Sequence, residues 1–275
     1  YWRDWSSDVC SSDLDMSFFK WYGGLQQKML ARFDQLFVQN QSSLDLMKNI
    51  GLGEISTISG DTRFDRVKQI ADAKHSLPLI ENFLEGKNCL VAGSTWPEDE
   101  EMLLKAWQAT ETDLWKWIIA PHEISQKHLS NLRDQFTGAI LYSELEKDPS
   151  QKAGVLIIDN IGMLSILYQY GQVAYVGGGF IKMGVHNVLE PAAYAKPVLI
   201  GPFYRKYQEA IGLVDAGGAI VTETAAQFTD KLIELMKDEA QYANVASAAG
   251  NYVKSNAGAT GRICSYIQEN RLLTS

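Results

Sequence analysis

The sequence predicts an α/β protein built on a parallel, doubly wound sheet, and three observations predict it. Short apolar runs alternate with segments of helical spacing across residues 87–223, about six strands in all. These runs are apolar throughout rather than alternating, as strands covered on both faces require. Several of them stop abruptly at Gly93-Ser94-Thr95, Pro121-His122, Asp159-Asn160 and Gly177-Gly178-Gly179. In such sheets ligands sit beyond the carboxyl ends of the strands, so those stops define a polar, glycine-rich candidate crevice.

Taken in order, residues 1–14 carry neither a helical nor a strand period and are set aside as a non-native or disordered leader. The aromatic run FFKWYGG follows and reads as the rim of a domain interface or as a lipid-facing segment. Leu25, Met29, Leu30 and Phe33 then lie at helical spacing. Residues 35–40 form an apolar run that reads as a strand. Asn40 or Ser42 is placed to cap a helix ending before Gly51. Residues 55–58 form a second strand, closed by Gly60. Asp61, Arg63 and Asp65 follow its end, as lining of an interdomain cleft or as an internal ion pair. This αβαβ passage is too short to cover both faces of a sheet. Residues 15–70 are therefore expected to be the remnant of an N-terminal domain, and residues 71–275 a complete C-terminal one.

Within the second domain, residues 88–95 form a strand, and Pro97 opens a helix whose first turn, PEDEE, suits the dipole better than a metal. Residues 116–123 are a strand, 125–136 a helix, 139–142 a short strand and 154–160 another strand. The stretch 173–202 then reads as strand, glycine loop, short helix from Asn187, and strand, ended by Gly201-Pro202. A strand at 218–223 and two or three helices complete the chain.

Bulk properties narrow the function. A net charge of −8 and a pI near 5.1 argue against a general nucleic-acid binder. Three cysteines without metal or disulfide spacing point to a reducing compartment, and four scattered histidines give no metal-binding pattern. No run reaches the roughly 18 apolar residues of a membrane span. In the 173–202 stretch, the N–H groups of Gly178, Gly179 and the residues around Asn187 suit an anion, and Glu190 suits a ribose diol. The alternative is an ordinary βαβ turn whose glycines only permit close packing. His186 sits against the glycine loop as a ligand group or a loop cap. Ser94 and Thr95 read as second-tier contacts or as caps of the next helix, and Lys182, Arg205 and Lys206 as nearby cations or solvated loop charges.

The segments FFKWYGG, FDQLFVQNQSS, SGDTRFDRV, GSTWPEDE, VGGGFIKMGVHNVLEPAAYAKPVLIGP and GGAIVT resemble the Kdo (3-deoxy-D-manno-octulosonic acid) transferases of lipid A biosynthesis, in wording most like the Bacteroidetes branch. The resemblance implies a GT-B-type glycosyltransferase with two Rossmann-like domains, the first only partly present. It implies inverting transfer of Kdo from CMP-Kdo to the lipid A precursor, at the cytoplasmic face of the inner membrane, without metal or cofactor. The family's cytidylate contacts fall on Pro121 with His122, on Ile161, Gly162 and Met163, and on Asn187, Val188, Leu189 and Glu190. His122 stands where many relatives carry arginine, and Met163 where many carry glutamate. The family's glutamate base has no counterpart in residues 15–70, so the chain as given is expected to bind the nucleotide and turn nothing over. A UDP-sugar transferase or epimerase of the same fold, or a non-catalytic nucleotide-sugar-binding protein, stands as the alternative.

Overall fold

The computed structural model describes residues 24–73, 75–110 and 114–270; the leader and the FFKWYGG run up to residue 23 lie outside them. The chain divides into two compact units, one comprising residues up to Gln69 with those from Lys254 onward, the other Ile70–Val253.

In the smaller unit, helix Gly24–Leu30 leads to strand β1 (Leu36–Val38), and helix Gln41–Asn49 to strand β2 (Ser56–Ile58). Asn40 is the cap of the second helix, its side chain accepting from the Ser43 N–H at 2.9 Å. The two strands pair in parallel, Leu36 opposite Ser56. The C-terminal helix Ala259–Glu269 also belongs here, which corrects the expected assignment of residues 71–275 to one domain. The reason is visible at Asp65, on helix Thr62–Asp72. Its carboxylate accepts from the N–H groups of Gly258 (2.5 Å) and Thr260 (2.8 Å) and so caps the incoming helix. Arg262 donates to the Ser59 carbonyl, and Tyr266 meets Phe37 edge to face at 5.3 Å. Asp61 pairs with Arg63 at 2.7 Å, so the internal ion pair is formed.

The larger unit is a seven-stranded, all-parallel sheet, one strand more than the sequence count. Its strands are β3 (Asn88–Thr95), β4 (Trp115–Pro121), β5 (Ile140–Leu141), β6 (Val155–Ile157), β7 (Val173–Val176), β8 (Val198–Ile200) and β9 (Ala219–Val221). They lie in the order β5-β6-β4-β3-β7-β8-β9. The chain enters at the central β3, adds β4 beside it, places β5 at the edge and fills the gap with β6, then returns past β3 to add β7, β8 and β9. The reversal falls between β3 and β7, the point at which sheets of this class take their ligands.

Strand-for-strand the apolar runs are buried as expected: Leu90, Val91, Ile118, Ile119, Ala174 and Leu199 are all 0% exposed. Helices Pro97–Ala109, Gln126–Gln135 and Ala225–Lys237 supply much of the cover. Ser125 caps the second of these and Thr224 the third. Trp117, Phe136, Tyr175 and Phe228 are among the largest fully buried residues of the shared core. Burying such a side chain contributes roughly 1.5–3 kcal/mol each, which commits the sheet to one register. Helix Tyr142–Lys147 was not foreseen; it is short, and its apolar pattern spans barely more than one turn.

Candidate functional site

The carboxyl end of β3 sets the geometry. Its pairing with β4 slips between Gly93 and Thr95, and Ser94 takes a left-handed conformation (φ 53°) that a side chain adopts only under strain. The slip delivers Trp96 to the rim, immediately before Pro97 starts the next helix. β4 ends at Pro121 and delivers His122, and the loop after β7 delivers His186. These three rings meet. Trp96 Nε1 donates to His186 Nε2 at 2.9 Å, and their rings lie within 8° of parallel. His122 stacks on both, with ring centroids 4.6 Å from each and tilts of 22° and 23°. Trp96 and His186 are therefore joined edge to edge, and the exposed His122 lies over their face. Burial first, and the neighbouring His122 second, pull the His186 pKa down to about 4, so the ring is neutral at physiological pH.

Beneath the rings, Asp99 ties the crevice together. It accepts from the Trp96 N–H (2.9 Å), the Gly178 N–H (2.8 Å) and the Tyr175 hydroxyl (2.5 Å) while fully buried. Burial raises its pKa, against the pull of those three donors. Its neighbour Glu100 accepts from Thr95 and from His128, both at 3.0 Å. The acidic first turn is thus a helix start, as read, but two of its carboxylates also brace β3 and β7.

That bracing corrects part of the expected anion site. The Gly178 N–H is committed to Asp99 and is not free for a ligand. The glycines serve close approach instead: at Gly178 (φ 87°) a Cβ would lie 2.9 Å from the His186 ring, and at Gly179 only 2.5 Å from the Gly201 nitrogen. The helix opened by Asn187 runs only from Leu189 to Ala193, too short for a strong dipole, and the Leu189 N–H is taken by the Asn187 side chain at 3.1 Å. Val188 and Leu189 are wholly buried, so their side chains belong to the core. Thr95 is also buried, its hydroxyl spent on Glu100.

The other expected residues are placed as follows. Glu190 is half-buried and accepts from Asn187 Nδ2 at 3.2 Å. Burial first, and the Glu190 charge second, hold the phenols of Tyr168 and Tyr194 above their ordinary range. Tyr168 packs against Gly93 at the end of β3. Ile161, at 87% exposure, and Gly162 (φ 98°) form a surface turn after β6, and Met163 Sδ accepts from Asn160 there. Arg205 lies over its neighbour Tyr204, and Lys206 over Tyr207, while Lys182 is exposed on the glycine loop. None of these three cations makes an ion pair among the described residues.

Sequence reasoning missed Trp96 and Asp99. The signal for Trp96 was its place: an aromatic directly after a central strand, at the rim. Asp99 carried none beyond its position in a helix start, because the reach to Gly178 depends on how β7 lies beside β3. Among the described residues no group of three or more His, Cys, Asp or Glu side chains is placed to hold a metal ion, and no helix is long and apolar enough to cross a membrane.

Comparison with known proteins follows the same lines. No protein-family model matches the sequence. Over 221 residues, 78% of this chain and 57% of the relative, it is 28% identical to a 3-deoxy-D-manno-octulosonic acid transferase of Aquifex aeolicus. A second such transferase, of Rickettsia bellii, is 26% identical across 81% of this chain and 54% of the relative. The chain thus spans a little over half the length of these curated relatives. In fold it is similar to the C-terminal CMP-Kdo binding domain of WaaA from Acinetobacter baumannii, with a TM-score of 0.56 and 22% identity, covering 70% of this chain and 99% of that one. It is also similar to S. aureus MnaA solved with UDP, with a TM-score of 0.58 and 17% identity, covering 88% of this chain and 62% of that one. The chain is therefore a relative of the Kdo transferases, and its parallel sheet has the fold shared by GT-B glycosyltransferases and the related epimerases.

Proposed function

We propose that the larger unit binds CMP-Kdo in the crevice between the ends of β3 and β7, and that the protein transfers Kdo from it to a lipid A precursor. The observation that carries this reading is the stacking of His122 on His186 beyond the ends of β4 and β7, beside the topological reversal of the sheet, with Glu190 one turn further along the chain from His186. The donor bears a phosphodiester and a sugar carboxylate, for which imidazole N–H groups are suitable partners, and a ribose diol, for which Glu190 is suited. Likeness to Kdo transferases in sequence supports the choice of sugar; the fold alone accommodates UDP as readily.

Transfer with inversion requires a base for the acceptor hydroxyl. Asp99 and Glu100 are not offered for that role, because both are buried and engaged in bracing the crevice. The acceptor class, the absence of any metal or cofactor requirement, and peripheral attachment to the cytoplasmic face of the inner membrane follow the same reading.

Calorimetric titration of the 275-residue chain with CMP and UMP tests it. CMP should bind more tightly, and Glu190→Ala should weaken CMP about thirtyfold, the equivalent of roughly 2 kcal/mol in charge-assisted hydrogen bonds. Tighter binding of UMP, or an unchanged CMP affinity in the variant, would overturn the assignment.

A further inference from the structure

Three rings in mutual contact raise a question of charge. Two imidazolium ions with centroids 4.6 Å apart repel strongly, so His122 and His186 do not both carry a proton on each nitrogen. The indole decides which of them stays neutral. An indole N–H is a donor only, so a ring nitrogen that accepts from it carries no proton. Trp96 Nε1 lies 2.9 Å from His186 Nε2 and the two ring planes are within 8° of parallel, an orientation that suits donation to an in-plane lone pair.

We propose that Trp96 is a positioning residue that locks His186 as the neutral tautomer protonated on Nδ1, leaving that N–H as the group His186 offers to an anionic oxygen of the nucleotide sugar. The ligand half of this inference rests on the donor-binding reading above; the tautomer half stands on the ring geometry alone. Several features hold the lock in place. The backbone N–H of His186 donates to the Gly177 carbonyl at 3.0 Å, and Gly178 has no side chain to press on the ring. Trp96 is itself fixed through its backbone N–H on Asp99. No described residue accepts from His186 Nδ1. His122 lies over the joined pair, with the indole face beneath it.

The experiment has two arms on the full chain. Long-range proton–nitrogen NMR of 15N-histidine-labelled protein near neutral pH should show His186 with a protonated Nδ1 and a bare Nε2. Trp96→Phe should abolish that pattern, moving the proton to Nε2 or giving tautomer exchange. The second arm titrates CMP into His186 variants. An asparagine amide reproduces the Nδ1 donor and a glutamine amide the Nε2 donor, so His186→Asn should stay within about threefold of wild type. His186→Gln should fall about tenfold, the equivalent of one hydrogen bond. A wild-type His186 protonated on Nε2 would overturn the tautomer lock whatever the ligand result. An Asn variant no better than Gln would overturn the donor role. If CMP fails to bind wild type at all, the donor-binding reading falls with the ligand half, and the spectrum still decides the lock.

Discussion

Replacing Asp99 by alanine tests whether a single buried carboxylate holds the crevice together. Its three donors are the Trp96 and Gly178 N–H groups and the Tyr175 hydroxyl, at 2.9, 2.8 and 2.5 Å. Alanine leaves all three without an acceptor at a site that is 0% exposed. The two backbone groups cannot turn elsewhere, and an orphaned buried donor costs about 1–3 kcal/mol. Relief from desolvating a carboxylate offsets part of that sum, for a net loss of about 3–5 kcal/mol. Asparagine behaves differently. With its carbonyl toward the two N–H groups and its amide donating to Tyr175, it keeps three neutral hydrogen bonds and should cost about 1–2 kcal/mol. Urea unfolding followed by circular dichroism reads both. At a slope of about 2–3 kcal/mol per M, alanine should lower the midpoint by roughly 1.5 M. An alanine variant within about 1 kcal/mol of wild type, or an asparagine variant as unstable as alanine, would refute the reasoning.

Two more outcomes follow from the same edge of the sheet. Gly179→Ala places a methyl group 2.5 Å from the Gly201 nitrogen, backbone against backbone, so stability should fall by about 1–3 kcal/mol in the same urea assay; a neutral result would mean that the two loops part without cost. His186, with its pKa pulled from 6.5 to about 4, binds fewer protons folded than unfolded between those values. Its share of stability is therefore complete above pH 6.5 and drains as pH falls toward 4, by roughly 2 kcal/mol between about pH 7 and pH 5. Asp99 and Glu100, pushed upward by burial, lean the other way, so the effect is read as the difference in pH slope between wild type and His186→Asn; equal slopes would contradict it.

Much of the sheet was legible because burial on both faces leaves a strong mark. A run such as residues 173–176 has no alternative explanation when glycine ends it and a helical pattern follows. The edge strand β5 and helix Tyr142–Lys147 were blurred, being too short to show a period. The site was legible in part. His122 and His186 could be placed beyond strand ends from their positions alone, and the structure stacks their rings. What the glycines do was not legible, since a free N–H and a close backbone crossing both call for the same residue. Only the register of β7 beside β3 shows Asp99 already occupying Gly178. The C-terminal helix was misassigned for a related reason. Its tie to Asp65 spans nearly the whole chain, and no local pattern announces it.

Tyr175 connects places that seem unrelated along the chain. Its ring meets Phe228 edge-on at 5.4 Å in the deepest part of the sheet's packing, and its hydroxyl ends on the carboxylate that secures both Trp96 and Gly178. The mouth of the crevice therefore borrows its stiffness from the interior. Trimming Phe228 would loosen the seating of the phenol, and through it the seating of the imidazoles, without altering any group that a nucleotide touches. Selection for a tighter or looser grip on such a ligand has a handle in the core as well as at the surface.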